Sequence, residues 1–154
     1  MAPNPPQLPA LDGRCHALGP ADDTAVHLAA LSGRSPAARQ AATEHLDAAI
    51  APGGRAWPVS ADVAQYVSAL LLADLVSDGA TKVELLYFLG QITEAADGVV
   101  AADDPETVLG CRALLAQILS TAEHCERDAE EDVRVEAADA AESALEVMEH
   151  HGLD

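Results

Sequence analysis

Aromatic side chains are scarce in this chain: one Trp, one Phe and two Tyr, 3% of 154 residues. A core has to be built from Leu, Val and Ala. Alanine-rich apolar faces suit closely approaching helices, and alanine is the best helix former. Lysine is scarcer still, with Lys82 alone beside seven Arg. Eight basic residues against 26 acidic ones, a net charge of −18, argue against nucleic-acid binding, which needs Lys and Arg against phosphate. The same field repels anionic membranes. Cysteine is limited to Cys15, Cys111 and Cys125. An odd, sparse count excludes a disulfide framework and fits reduced thiols in a cytoplasmic protein. No apolar run approaches the ~18 residues of a membrane span. No β-branched stretch alternates with period two, so no sheet is expected. The opening MAPNPPQLPALDG lacks a basic n-region and an apolar h-region, and is read as something other than a signal peptide.

What is present is apolar and unevenly charged. Hydrophobic residues make up 49% of the chain, enough for one domain with a real core. Residues 1–77 hold 7 acids and 4 bases, a net of −3, whereas residues 78–154 hold 19 acids and 4 bases, a net of −15. Such a field attracts cations and basic proteins; it also serves solubility with no partner at all.

Taken in order, residues 1–19 carry Pro3, Pro5, Pro6 and Pro9 and read as a disordered proline-rich tail. Residues 20–154 read as one helical domain. A first helix starts near Pro20, with Asp22 and Asp23 in its first turn, and ends at Gly33. Ser35-Pro36 opens a second, to about Ile50. The APGGRAWP loop then leads to a central hairpin over Trp57–Ala96. Its first helix follows Pro58 with Ser60 as N-cap, and carries Val63, Val67, Leu70 and Leu71 on one face. Its second follows Thr81 as cap, with Leu85, Leu86, Leu89, Ile92 and Ala96 inward. Glu84, Tyr87, Gln91 and Glu94 fall on the opposite, outward face. Asp104-Pro105 opens a fifth helix with Val108, Cys111, Leu115, Ile118 and Ala122 in one stripe, and Cys111 reads as a buried thiol. A sixth runs from about Asp132 to His151, with Val133, Ala137, Ala140, Ala141, Ala144, Val147 and Met148 on one broad face, Glu136, Asp139, Glu142, Glu146 and Glu149 on the other, and Gly152 beyond it.

Helix starts near 22, 61 and 105, with partners near 36, 81 and 130, form two-helix units at a period of roughly 40–47 residues. On this spacing, and on DVRVEAADAAESAL and KVELLYFLGQI, the chain resembles HEAT-repeat-like, armadillo-type helical proteins of actinobacterial type. The resemblance covers about residues 20–151. It implies an all-α fold of six helices in three antiparallel pairs, arranged as a right-handed solenoid, and a binding surface on the second helix of each pair. A compact six-helix bundle is the rival arrangement, because the spacing is uneven and the APGGRAW gap is long.

Chemical motifs are thin. CxxC, HxxxH and HExxH are all missing. His124-Cys125 and His150-His151 are sequence neighbours that point about 100° apart on a helix, so no metal and no cofactor is expected. Glycine-flanked serine and phosphate loops are also missing. Lys82, Glu84, Tyr87 and Glu94 share one helix and are the sole acid–base candidates; catalytic residues are left unassigned. Two functional readings follow. The first is an acidic scaffold that binds a basic protein partner, such as a toxin, a nucleic-acid enzyme or a component of a biosynthetic complex. Its groove is floored by Glu84, Tyr87, Gln91 and Glu94. The second is an enzyme or small-molecule binder with a pocket around Trp57, Tyr66 and Tyr87. Oligomeric state is left open.

Overall fold

Caps and proline fix where the helices begin. The computed structural model describes residues 6–11 and 13–153. Among these, seven α-helices occur: α1 (Thr24–Ala30), α2 (Pro36–His45), α3 (Ser60–Leu72), α4 (Gly79–Asp97), α5 (Pro105–Arg112), α6 (Leu115–Cys125) and α7 (Glu131–His150). Ser35 Oγ accepts from the Ala38 amide at 3.2 Å, and Pro36 takes the first helical position of α2. Asp104 does the same for α5, accepting from the Glu106 amide at 3.0 Å ahead of Pro105. The protein is therefore all-α, apart from a two-residue ladder of β1 (Cys15–His16) with β2 (Gly19–Pro20).

Three details differ from the sequence reading. Asp78, not Thr81, caps α4; its Oδ2 accepts from the Thr81 amide at 2.9 Å and the Thr81 hydroxyl at 2.6 Å. Asp and Thr are both good caps, so position alone did not separate them. Ser60 opens α3 rather than capping it: its hydroxyl accepts from the Trp57 amide at 2.8 Å and donates to the Ile50 carbonyl at 2.6 Å. The expected fifth helix breaks at Ala113–Leu114, giving seven helices in place of six. The break lets α5 pack on α4 while α6 packs on α3 and α7. Cys111, Leu115, Ile118 and Ala122 stay buried across it.

The core sits between α3, α4, α6 and α7. Leu85, Leu86, Phe88, Leu89 and Ile92 of α4 are fully enclosed, as are Val63, Val67 and Leu70 of α3. On α7 the inward face is mainly alanine (Ala137, Ala140, Ala141, Ala144), which lets α4 and α6 approach it closely. Cys111 is buried as expected, and burial pushes its thiol up to about 12.

The tail expected over 1–19 is corrected from Leu11 onward. Leu11 and His16 are buried, and the Ala17 amide donates to the Ala49 carbonyl at 2.8 Å. Arg14 pairs with Asp62 of α3. Pro6–Ala10 lie along α3. Proline density discourages helix and sheet but does not prevent an extended segment from packing. Residues 1–5 of that expected tail, and Asp154 at the other end, lie outside the described residues.

Candidate functional site: an acidic trough between two helices

The outward face of α4 does not meet open solvent along its whole length. A groove of about 400 Å³ runs between α4 and α7, lined by Tyr87, Gln91 and Glu94 on one side and Glu136, Asp139 and Ser143 on the other. A second groove, about 430 Å³, continues it past Glu94 to Asp97, Glu146 and Val147. The two share Gly53, Gly54, Glu94 and Ser143, so they form one trough. The Gly53-Gly54 turn borders both grooves where they join, and both of its residues have positive φ. A Cβ on Gly54 would lie 3.1 Å from the Glu94 carboxylate, so only glycine lets the turn press this closely.

The trough is electrostatically one-sided. Lys and Arg are missing from its lining. Among the described residues, Glu94, Glu136, Asp139 and Glu146 have no basic side chain within ion-pair distance. Burial holds the Glu136 carboxyl above its ordinary range, with repulsion from Asp139 and Glu84 adding to it. Gln91 contributes a side-chain carbonyl oxygen that is buried without a hydrogen-bond partner in the protein. Tyr87 is half-exposed, at 52%, so its ring is available as an apolar contact with a polar tip.

The residues expected to form a site thus divide. Tyr87, Gln91 and Glu94 come together in the trough. Glu84 lies one turn away in a different groove, of about 510 Å³ between α2 and α4, with Glu44, Asp47 and Arg39. Tyr66 is on α3, 6% exposed, facing a groove of about 580 Å³ roofed by Pro6–Ala10. Burial pushes its phenol up. Trp57 lines none of these grooves; the Arg55 guanidinium sits 4.8 Å from its ring centre and pairs with Asp103 at 2.7 Å. Its indole nitrogen is buried without a protein acceptor. Trp57, Tyr66 and Tyr87 share no common groove among the described residues. The acid–base set is likewise dispersed, because Lys82 reaches Asp128 at 2.7 Å. That bond raises the Lys82 pKa and lowers that of Asp128.

Two histidine clusters escaped the sequence reading. In the first, His16 Nε2 lies 2.9 Å from Asp23 Oδ1 and His45 Nδ1 lies 4.0 Å from Asp23 Oδ2. His27 stacks on His45 with ring centres 4.4 Å apart. Burial, and then the neighbouring His27 charge, lower the His45 pKa. In the second cluster, His150 Nδ1 and His151 Nε2 lie 2.8 and 2.9 Å from the same oxygen, Asp97 Oδ1. The expectation that adjacent histidines diverge is therefore corrected. His150 uses its near nitrogen and His151 its far one, and His151 sits at the C-cap (φ −102°, ψ 7°) rather than in the helix. The doublet before Gly152 was the only local signal; Asp97, at the end of α4, was invisible beside it. The His124-Cys125 pair does diverge: His124 reaches Asp74 at 2.8 Å, while burial pushes the Cys125 thiol up to about 11. No protein-family model, curated protein or solved structure matches this chain at a significant level.

Proposed function

We propose that this protein is a docking module that receives a basic segment of a partner protein in the trough between α4 and α7. The observation that carries the reading is a continuous groove lined by Glu94, Asp97, Glu136, Asp139 and Glu146 with no Lys or Arg in its walls. Carboxylates held near one another without cations are costly to the free protein, and Arg or Lys side chains relieve that cost on binding. Arg suits the site further, because its planar guanidinium stacks on an aromatic face such as Tyr87. The HEAT-like solenoid reading supports the same surface: α4 and α7, each the second helix of its pair, lie side by side, and such helices would form its concave face. A reducing, cytoplasmic setting is part of the proposal and is supported by three free cysteines.

The test is binding of a fluorescein-labelled Arg-rich peptide, followed by polarisation across a salt series. Affinity should fall steeply as salt rises, since the trough is open to solvent. The triple variant Glu94→Gln, Glu136→Gln, Asp139→Asn should weaken binding by about tenfold or more. Neutralising three carboxylates elsewhere, at Glu106, Glu123 and Glu126, changes net charge equally and should cost much less. Equal losses in the two variants would reduce the trough to a part of the general negative field.

A further inference from the structure

We propose that Asp97, His150 and His151 form a binding site for a divalent transition-metal ion of the zinc class. Their three ligand atoms lie within 4.8 Å of one another, and both imidazoles already converge on Asp97 Oδ1 at 2.8 and 2.9 Å. A tetrahedral zinc ion, with bonds of about 2.0–2.1 Å, holds its ligands roughly 3.3 Å apart. Reaching that spacing closes the most distant pair of ligand atoms by at most about 1.5 Å, and the His150 side chain, 68% exposed, is free to move.

Hydrogen bonding separates this cluster from that of His16, Asp23 and His45. At His16, the Leu18 amide donates to Nδ1 at 3.1 Å, which fixes the ring proton on Nε2, the nitrogen that faces Asp23. At His45, Nε2 is engaged by the Thr24 hydroxyl at 2.9 Å. A metal there must disturb hydrogen bonds beyond those to Asp23. At His150 and His151, no group among the described residues bonds the outer nitrogens, Nε2 and Nδ1 respectively. An ion that replaces the two ring hydrogen bonds to Asp97 can take both inner nitrogens, each ring proton moving to its outer nitrogen with no further bond broken. Two imidazoles with one carboxylate select zinc, nickel or copper over magnesium and calcium, which prefer all-oxygen sites. Three protein ligands leave one position of a tetrahedral ion for water. Glu94 and Glu146, along the adjoining groove, raise the local cation concentration.

An ion at this point ties the end of α4 to the end of α7, segments more than fifty residues apart. Binding to the folded state alone then appears as stability. The experiment uses the full chain without a polyhistidine tag, stripped of metal, at pH 7.5. Zinc chloride is titrated by calorimetry and in thermal melts, with magnesium chloride in parallel. One equivalent of zinc should bind and raise Tm; magnesium should do neither. His150→Ala, which removes an exposed ring, should weaken zinc by about tenfold or more, and Asp97→Asn should do the same. Cys15→Ser and His124→Ala, which remove other exposed donors, should leave the titration unchanged. The site is overturned if zinc gives no heat and no Tm shift. It is overturned equally if the effect survives His150→Ala and His151→Ala together, if magnesium reproduces it, or if Cys15→Ser abolishes it.

Discussion

The N-terminal and C-terminal halves handle their charges in opposite ways. In residues 1–77 several ionic groups are paired: Arg14 with Asp62, Arg55 with Asp103, Asp23 with His16. Each contact joins two segments, so the charge is spent on holding the fold. In residues 78–154 the acids outnumber the bases 19 to 4, and among the trough carboxylates Glu94, Glu136, Asp139 and Glu146 have no basic partner among the described residues. Exposed pairs contribute little stability, about 0–1 kcal/mol each. The contrast therefore matters less for stability than for what is left over. The N-terminal half uses several of its charges in contacts between segments, whereas the trough gathers carboxylates without Lys or Arg at one place.

The comparison breaks most visibly where both halves share a core. Leu89 lies at the centre of that core and is fully enclosed; Leu89→Ala should destabilise by about 2–5 kcal/mol in denaturant unfolding. A smaller loss than that would mean α4 does not anchor the two halves together. Next comes the N-terminal segment. Deleting residues 1–18 removes buried Leu11 and His16, the Arg14–Asp62 pair and the Ala17–Ala49 hydrogen bond. A loss of about 2–4 kcal/mol is expected, from apolar burial and broken hydrogen bonds. An unchanged Tm would restore the reading of that stretch as a loose tail.

How much was legible follows from the range of each signal. Ser35-Pro36 and Asp104-Pro105 were readable because a cap and its helix are adjacent in sequence. The inward stripe of α4 was readable because Leu85, Leu89, Ile92 and Ala96 repeat at the helical period, and so was its outward face. The trough was half-readable: Tyr87, Gln91 and Glu94 were named. Glu136, Asp139 and Glu146 were seen as an acidic face of α7, with nothing to say that this face borders α4. The histidine clusters were illegible, since His16 meets His45 and Asp97 meets His150 and His151 only through tertiary packing. Tyr66 misled for a related reason: an amphipathic ring near a helix start reads the same whether it faces solvent or, as here, a covering segment.

The smallest effects carry the sharpest contrast, because acid should act on the His16–Asp23–His45 cluster and on Glu136 of the trough with opposite sign. Burial and His27 lower the His45 pKa, and the hydrogen bond from His16 lowers that of Asp23. For both groups the unfolded chain binds more protons. Their contribution is complete above the ordinary values of 6.5 for His and 3.8 for Asp, and is lost as pH falls through the folded values. In the trough, burial raises the Glu136 pKa above 4.5. There the folded protein binds the extra proton, so stability is gained as pH falls through the raised value, and the gain is complete near 4.5. Thermal melts from pH 7.5 to 4.5 should separate the two. His45→Gln should flatten the loss below about pH 6.5, with Thr24 still able to bond the amide. Glu136→Gln should remove the gain on acidification toward pH 4.5 and, at neutral pH, raise stability by a few tenths of a kcal/mol, the range of most surface changes. The same variant should weaken the Arg-rich peptide. A stabilised protein that binds less well is the signature of a carboxylate kept for a partner. Glu136→Gln that instead destabilises would mean the side chain is compensated in the folded state, and the contrast between the halves would fail at its central residue.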